Sequence, residues 1–342
     1  MKQRQSNFEL LRIVAMMLVL VVHADYLSLN MPTRAELLSD PALSMGRISV
    51  EMLAIVCVNL FVFISGWFTI RPSLKGLLKL LFQIFFFLTL GYFLAVPLGA
   101  VKTPTVVGLV TTLLKPGWFI ISYTLLYCIS PILNAFIEKA DRRSYIWVLC
   151  SFFCLQLLWG TVYHTMEFNR GYSVLSFIGL YLLANALKRK NIQDRWPAAC
   201  FLITYLVITA VNSGFQWYVI EYAVKLENSV IAYNNPLTIV ATVCLFLFFA
   251  MLRLGSNRLI NWAGRSAFAV YLLHSYSLMP VYARQCREIF ERYDGAVYLL
   301  YVGAFILLVF AVSVLLDQVR IALWRLLTWR PSKSSNEINQ TI

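Results

Sequence analysis

Long apolar runs alternate with short polar connections along the whole chain. The first run, Asn7 to Leu29 (NFELLRIVAMMLVLVVHADYLSL), is long enough to cross a bilayer as a helix, yet it holds two ionisable residues, Arg12 and His23. Further runs at about 47–70, 76–98, 118–137, 144–163, 172–187, 198–213, 236–252, 260–281 and 296–316 bring the expected number of transmembrane helices to ten. The fold class expected is all-α, a polytopic integral membrane bundle. Residues 106–117 (VVGLVTTLLKPG) are too short to span and end in Lys-Pro-Gly, so they are expected to lie at the outer face or to re-enter it under cover of protein. Asp317 to Arg330 is expected to continue the last helix along the inner surface, anchored by Trp324 and Trp329. This divides the chain into a membrane domain over 1–316 and an interfacial helix with a disordered tail over 317–342. No linker or internal repeat marks a second domain.

Composition agrees with the pattern. Of 342 residues, 60% are hydrophobic and only 13% charged, where a soluble domain would carry about a quarter charged. The net charge of +13 falls in short connections between apolar runs, which encodes topology rather than nucleic-acid binding. With the N-terminus inside, Lys2, Arg4, Arg71, Lys75, Lys79, Lys139, Arg142, Arg143, Lys188, Arg189, Lys190, Arg195, Arg253, Arg258, Arg265, Arg320, Arg325, Arg330 and Lys333 are cytoplasmic. The outer segments hold Arg34, Arg47, Lys102, Lys115, Arg170, Lys225, Arg284, Arg287 and Arg292. Nineteen against nine, Arg12 set aside, places both termini in the cytoplasm. A basic start before an apolar run also describes a signal peptide. Its length, Arg12 within it and the lack of a small-residue cleavage site assign this one as the first transmembrane helix.

Candidate chemistry concentrates in the apolar runs. Arg12 and His23 are eleven residues apart, roughly 16 Å of rise and three full turns, and so share one helix face. One face then offers an anion-binding group near the inner side and a titratable base towards the outer side. Counting from the expected helix ends, His23 lies about 9 Å, Glu51 about 6 Å and His274 about 10 Å below the outer surface, a common level. A salt bridge from Glu51 to Arg47 four residues earlier is the plainer reading of that carboxylate. Arg71, Lys75 and Lys79 form a basic stripe at four-residue spacing after the second helix, which would supplement Arg12 as a phosphate site or simply mark the inner side. Asn59, Ser65 and Gly66 lie in CVNLFVFISGW, where small residues permit close approach of a helix or a substrate. Trp118, Tyr163, Tyr172, Trp217 and Tyr218 sit at outer ends, suited to stacking on sugar rings or to an interfacial belt. The seven cysteines lie mostly inside apolar runs without zinc-site spacing, and no metal is expected.

Together these residues carry a resemblance. Arg12, ten intervening residues and His23 resemble the first-helix signature of the membrane acyltransferase 3 family. NLFVFISGWF (59–68), WFIISYTLLYCISPILN (118–134), NRGYSVLSFIGLYLL (169–183) and GRSAFAVYLLHSY (264–276) are similar to further family phrases, in the family's order and across nearly the whole chain. The resemblance implies transfer of an acyl group, usually acetyl, from cytoplasmic acyl-coenzyme A to a hydroxyl of a cell-surface or lipid-linked saccharide at a bacterial cytoplasmic membrane. On that reading Arg12, Arg71 and Lys75 hold the donor's phosphates, His23 is the base, His274 and Glu51 assist it, and Trp118, Asn59 and Tyr172 face the acceptor. Two departures stand out. The family's basic pair after the second helix is commonly two arginines three apart, whereas here Arg71 and Lys75 are four apart; and Pro116-Gly117 precedes Trp118 where many relatives have a histidine. No part of these residues reads as a fused extracellular esterase-like domain, so transfer is expected to finish in the membrane or pass to a separate protein. A carrier of sugars or organic acids, or a non-catalytic assembly protein of the same fold, is the rival class; the missing inverted repeat counts against a carrier.

Overall fold

The computed structural model describes residues 5–190, 196–222 and 230–328. Among these the chain is helical, and seven helical stretches are long and apolar enough to cross a membrane: Ser6–Leu29, Pro41–Phe68, Leu74–Ala95, Trp118–Lys139, Arg142–Val162, Ala198–Glu221 and Gly295–Leu327. Three shorter helical pieces occupy the remaining apolar runs, at Val174–Arg189, Pro236–Met251 and Arg258–His274, the last in two parts. We number the helices α1 (Ser6–Ala24), α2 (Tyr26–Leu29), α3 (Arg34–Ser39), α4 (Pro41–Ala54), α5 (Cys57–Phe68), α6 (Leu74–Ala95), α7 (Val106–Leu114) and α8 (Trp118–Lys139). There follow α9 (Arg142–Leu155), α10 (Val174–Arg189), α11 (Ala198–Glu221), α12 (Pro236–Met251), α13 (Arg258–Gly264), α14 (Ala267–His274), α15 (Met279–Arg292) and α16 (Gly295–Leu327).

Local chemistry explains the boundaries. Asp40 caps α4 with Pro41 in its first turn, Ser73 caps α6, and Asn235 caps α12 ahead of Pro236. Thr33 and Glu36 make a reciprocal capping box on α3, and the Thr33 N–H and hydroxyl hold the Glu36 carboxyl below the usual carboxylate range. Inside α8, Pro131 cannot donate to the Tyr127 carbonyl, and the Ser130 hydroxyl donates to it instead at 2.7 Å.

Helix α1 is the axis of the bundle, packed against α4, α5, α12, α13, α14, α15 and α16. At one end of the molecule Ser6 bonds Asn261 and the Asn257 N–H, Asn7 bonds the last carbonyls of α12, and Phe8 meets Phe68 edge-on at 4.7 Å. The loop after α5 is fixed there too, since Asn134 and Tyr181 clamp the Ile70 backbone and Lys188 binds the Trp67 carbonyl. At the opposite end Asp25 accepts from Arg47 at 2.8 Å, and Arg287 reaches the Ser28 carbonyl. Gly66 makes the α5–α10 approach possible, for a Cβ there would overlap the Tyr181 carbonyl.

Several elements depart from the sequence reading. The second crossing begins at Pro41 rather than about 47, because Asp40 and Pro41 start a helix in a stretch of mixed character, interrupted by Ser44, Gly46 and Arg47. Glu51 therefore lies ten residues, roughly 15 Å, into it rather than about 6 Å below its end. The run at 260–281 is not one helix. It breaks between Gly264 and Ala267 and ends at His274, where Ser275 is extended and Tyr276 takes a positive φ of 58°. Helix α16 continues through 316/317 without interruption to Leu327, and Asp317 and Arg320 form a buried ion pair within it. Trp324 packs against Phe82 with ring centroids 5.3 Å apart and the rings tilted, while Trp329 and the expected tail lie outside the described residues. Helix α7 is nine residues long with no buried residue, tied to α6 through the Tyr92 hydroxyl at Thr105.

Candidate active site

Helix α1 presents His23 where α14 ends at His274. The two rings meet with Nδ1 of His23 2.7 Å from Nε2 of His274. The other nitrogen of His274, Nδ1, lies 2.6 Å from the Val270 carbonyl, one turn back in its own helix. A carbonyl can only accept, so His274 carries its proton on Nδ1 and offers a lone pair at Nε2. His23 must then donate from Nδ1. This leaves a lone pair on His23 Nε2, the form a general base requires.

His23 lines a cavity. Its walls combine the aromatic residues Tyr26, Trp118, Tyr172, Tyr233 and Tyr271 with apolar residues such as Met16, Val19 and Val58. Trp118 meets Tyr172 edge-on at 4.5 Å and Tyr233 at 5.9 Å, so the aromatic wall is a packed unit. The residue before it, Gly117, abuts the Tyr276 ring. A Cβ on Gly117 would come within 2.7 Å of that ring, so Tyr276 fills the place a larger residue would take, and its hydroxyl pairs with Tyr271 at 3.0 Å.

A second cavity lies around Arg12. Arg265, Gly264, Ser65, Tyr123 and Leu80 complete its walls. Phe61, Phe119 and Phe268 line both cavities, forming a waist between the Arg12 chamber and the His23 chamber. The two residues read from one helix face thus line two adjoining spaces that share these three rings. Arg12 is about a third exposed and bonds Glu9 at 2.6 Å, which holds its guanidinium at the chamber.

The remaining sequence candidates fall elsewhere. Glu51 is fully buried with neither oxygen bonded among the described residues; the charges acting on it are Asp25 and Arg47, and neither imidazole is oriented by it. Asn59 is buried outside both cavities, its amide donating to the Tyr233 carbonyl at 2.8 Å, so it braces the aromatic wall from behind. Arg71 and Lys75 are exposed and line neither cavity. Sequence reasoning counted Arg265 only as a topology charge. Nothing in hydropathy shows that α13 breaks from α14 at that residue and turns it into the Arg12 chamber. Among the described residues no cluster of three or more histidine, cysteine or acidic side chains is arranged to hold a metal.

The model of the acyltransferase 3 family, described as an acyltransferase domain, matches residues 5–318. The chain belongs to this family. No match was found among curated proteins or among solved structures. Membership makes the chain a multi-pass membrane acyltransferase, and both chambers of this acyltransferase lie within the matched residues.

Proposed function

We propose that this acyltransferase moves an acetyl group from cytoplasmic acetyl-coenzyme A to a saccharide hydroxyl across a ten-helix membrane domain with both termini in the cytoplasm. The observation that carries the reading is the hydrogen-bond chain from the Val270 carbonyl through His274 to His23, which leaves a base nitrogen in an aromatic-walled chamber. The donor's phosphates bind Arg12 and Arg265, and its pantetheine arm passes the waist of Phe61, Phe119 and Phe268. Exposed Arg71 and Lys75 draw the anionic donor to that mouth. The acceptor sugar lies against Trp118, Tyr172 and Tyr233.

The hydroxyl oxygen attacks the thioester carbonyl as His23 Nε2 takes its proton, the C–S bond breaks, and the proton passes to the departing thiolate. Imidazolium formed on His23 is stabilised by its bond to the neutral His274. The developing oxyanion needs donors other than His274, whose two nitrogens are engaged. Helix α8 starts without a side-chain cap at Trp118 and Phe119, both of which line the His23 chamber, and its first amides supply that role.

The test is to reconstitute purified protein in vesicles and supply radiolabelled acetyl-coenzyme A on the side of Arg71 and a polysaccharide acceptor on the other. Acyl transfer releases coenzyme A and labels the glycan. Movement of a solute without thioester cleavage would instead support a carrier.

A further inference from the structure

Away from both chambers, a groove opens on the flank of the bundle between α9 and α12. Its length is apolar, lined by Phe153, Leu157, Leu183, Ile239 and Val240, with Leu157 and Val240 facing outwards. Its deep wall is not apolar. Gln156 and Asn234 line it, each 2% exposed, and the Gln156 Oε1 and both amide atoms of Asn234 have no hydrogen-bond partner among the described residues.

The backbone is shaped around these amides. Gln156 opens a π-helical segment, Gln156–Val162, that continues α9, and such segments recur at functional sites. Within it Gly160 lets Asn234 approach, because a Cβ there would lie 2.7 Å from the Asn234 Nδ2. Buried amides without partners are costly, so a groove that retains them has to be completed by something bringing its own donors and acceptors.

We infer that this groove binds a membrane lipid whose head carries uncharged hydroxyl groups, a sugar-headed lipid. The free atoms are two acceptor oxygens and one amide donor, and a hydroxyl, both donor and acceptor, complements all three. Among the described residues no charged side chain lines the groove, so a phosphate would meet two carbonyl oxygens without a cation, and a trimethylammonium head brings no donor at all. Depth fits a lipid as well. Gln156 and Asn234 lie towards the end of the bundle that holds Trp118 and Tyr172, and Phe153 and Ile239 continue inwards along their helices to receive the acyl chain. This site stands independently of the acyl-transfer reading, since it is read by binding alone.

The experiment uses the full chain in phosphatidylcholine nanodiscs with either of two probes, monoglucosyl-diacylglycerol or phosphatidylcholine, each carrying a diazirine in its acyl chain. Crosslinked peptides are mapped by mass spectrometry. The glucosyl probe is expected to label 150–157 and 236–240 at least about fivefold more than the phosphatidylcholine probe. Val240→Trp, at an outward-facing position that leaves the interior untouched, should block the groove and abolish that excess, and Gln156→Leu with Asn234→Leu should remove it as well. Equal labelling by the two probes, or an excess that survives Val240→Trp, would overturn the inference by showing annular lipid only.

Discussion

His23 and His274 are 251 residues apart in sequence, yet their ring nitrogens approach to 2.7 Å, and the bond has a direction set by the Val270 carbonyl behind it. The arrangement parallels that of a buried carboxylate behind a catalytic histidine: a second group chooses the tautomer of the base and steadies its charged form. On the proposed reading a neutral imidazole does this. A neutral partner suits a site inside a membrane, where a carboxylate would carry a desolvation cost.

This directionality makes His274 a positioning residue, and its substitutions should separate structure from chemistry. His274→Leu removes the acceptor for His23 Nδ1 and should lower kcat about 10²-fold with donor KM little changed. His274→Gln retains an acceptor oxygen and should recover part of that loss. Steady-state kinetics on both variants decide it; equal activity of Leu and Gln would mean the tautomer of His23 does not matter.

His23→Ala should abolish transfer, to below about a tenth of wild-type turnover, while coenzyme A still binds. Binding measured calorimetrically alongside turnover separates loss of the base from loss of the fold. Retained turnover would take the base role away from His23.

Arg12 and Arg265 share a chamber, so removing either should weaken the donor rather than the chemistry. Arg12→Lys and Arg265→Lys each exchange a planar fork for a point charge, and each should raise the acetyl-coenzyme A KM several-fold with a smaller change in kcat. Arg71→Gln, on an exposed residue outside the chamber, should do less, and mainly at low salt. A collapse of kcat at constant KM in the Arg265 variant would place that residue at the reacting atoms.

The parts of this site differ in how readable they are from sequence. Arg12 and His23 occupy one regular helix, so period and rise alone predict that they share a face and stand about three turns apart. His274 is marked as an ionisable residue in an apolar run, but its depth was set from a helix end that Ser275 and Tyr276 cut short, with neither proline nor glycine to announce it. The depth of Glu51 is not legible from hydropathy, because the first turns of α4 mix Leu43 and Met45 with Ser44, Gly46 and Arg47. The place of Arg265 is not legible in the sequence, because its direction depends on a break between two short helices packed on α1 and α16. What propensity and period encode within one helix is legible; what a break or a tertiary contact decides is not.

The waist between the chambers leads to a prediction about leakage. Phe268 packs on Phe119 at 6.2 Å and lines both spaces, so Phe268→Leu should widen the passage while keeping it apolar. Coenzyme A release without any acceptor should rise several-fold as water reaches the thioester, with acceptor-dependent transfer falling less. An unchanged ratio of hydrolysis to transfer would show that the aromatic waist does not keep water from the donor.

Sidedness is the premise on which the cross-membrane reaction rests. Ser73 caps α6 at the end of the bundle that holds Ser6, Phe68 and Asn134, whereas Asp294 precedes α16 at the end that holds Asp25 and Arg47; both are exposed. Ser73→Cys and Asp294→Cys, in a background lacking the native cysteines, should react with an impermeant maleimide from opposite sides. Ser73→Cys loses a cap worth about 1 kcal/mol, which a bundle of this size tolerates. Asp294→Cys should label in intact cells and Ser73→Cys only after the membrane is opened. Labelling of both from one side would remove the route by which a cytoplasmic thioester meets an outer hydroxyl. The two chambers would then have to serve a reaction confined to a single face of the membrane.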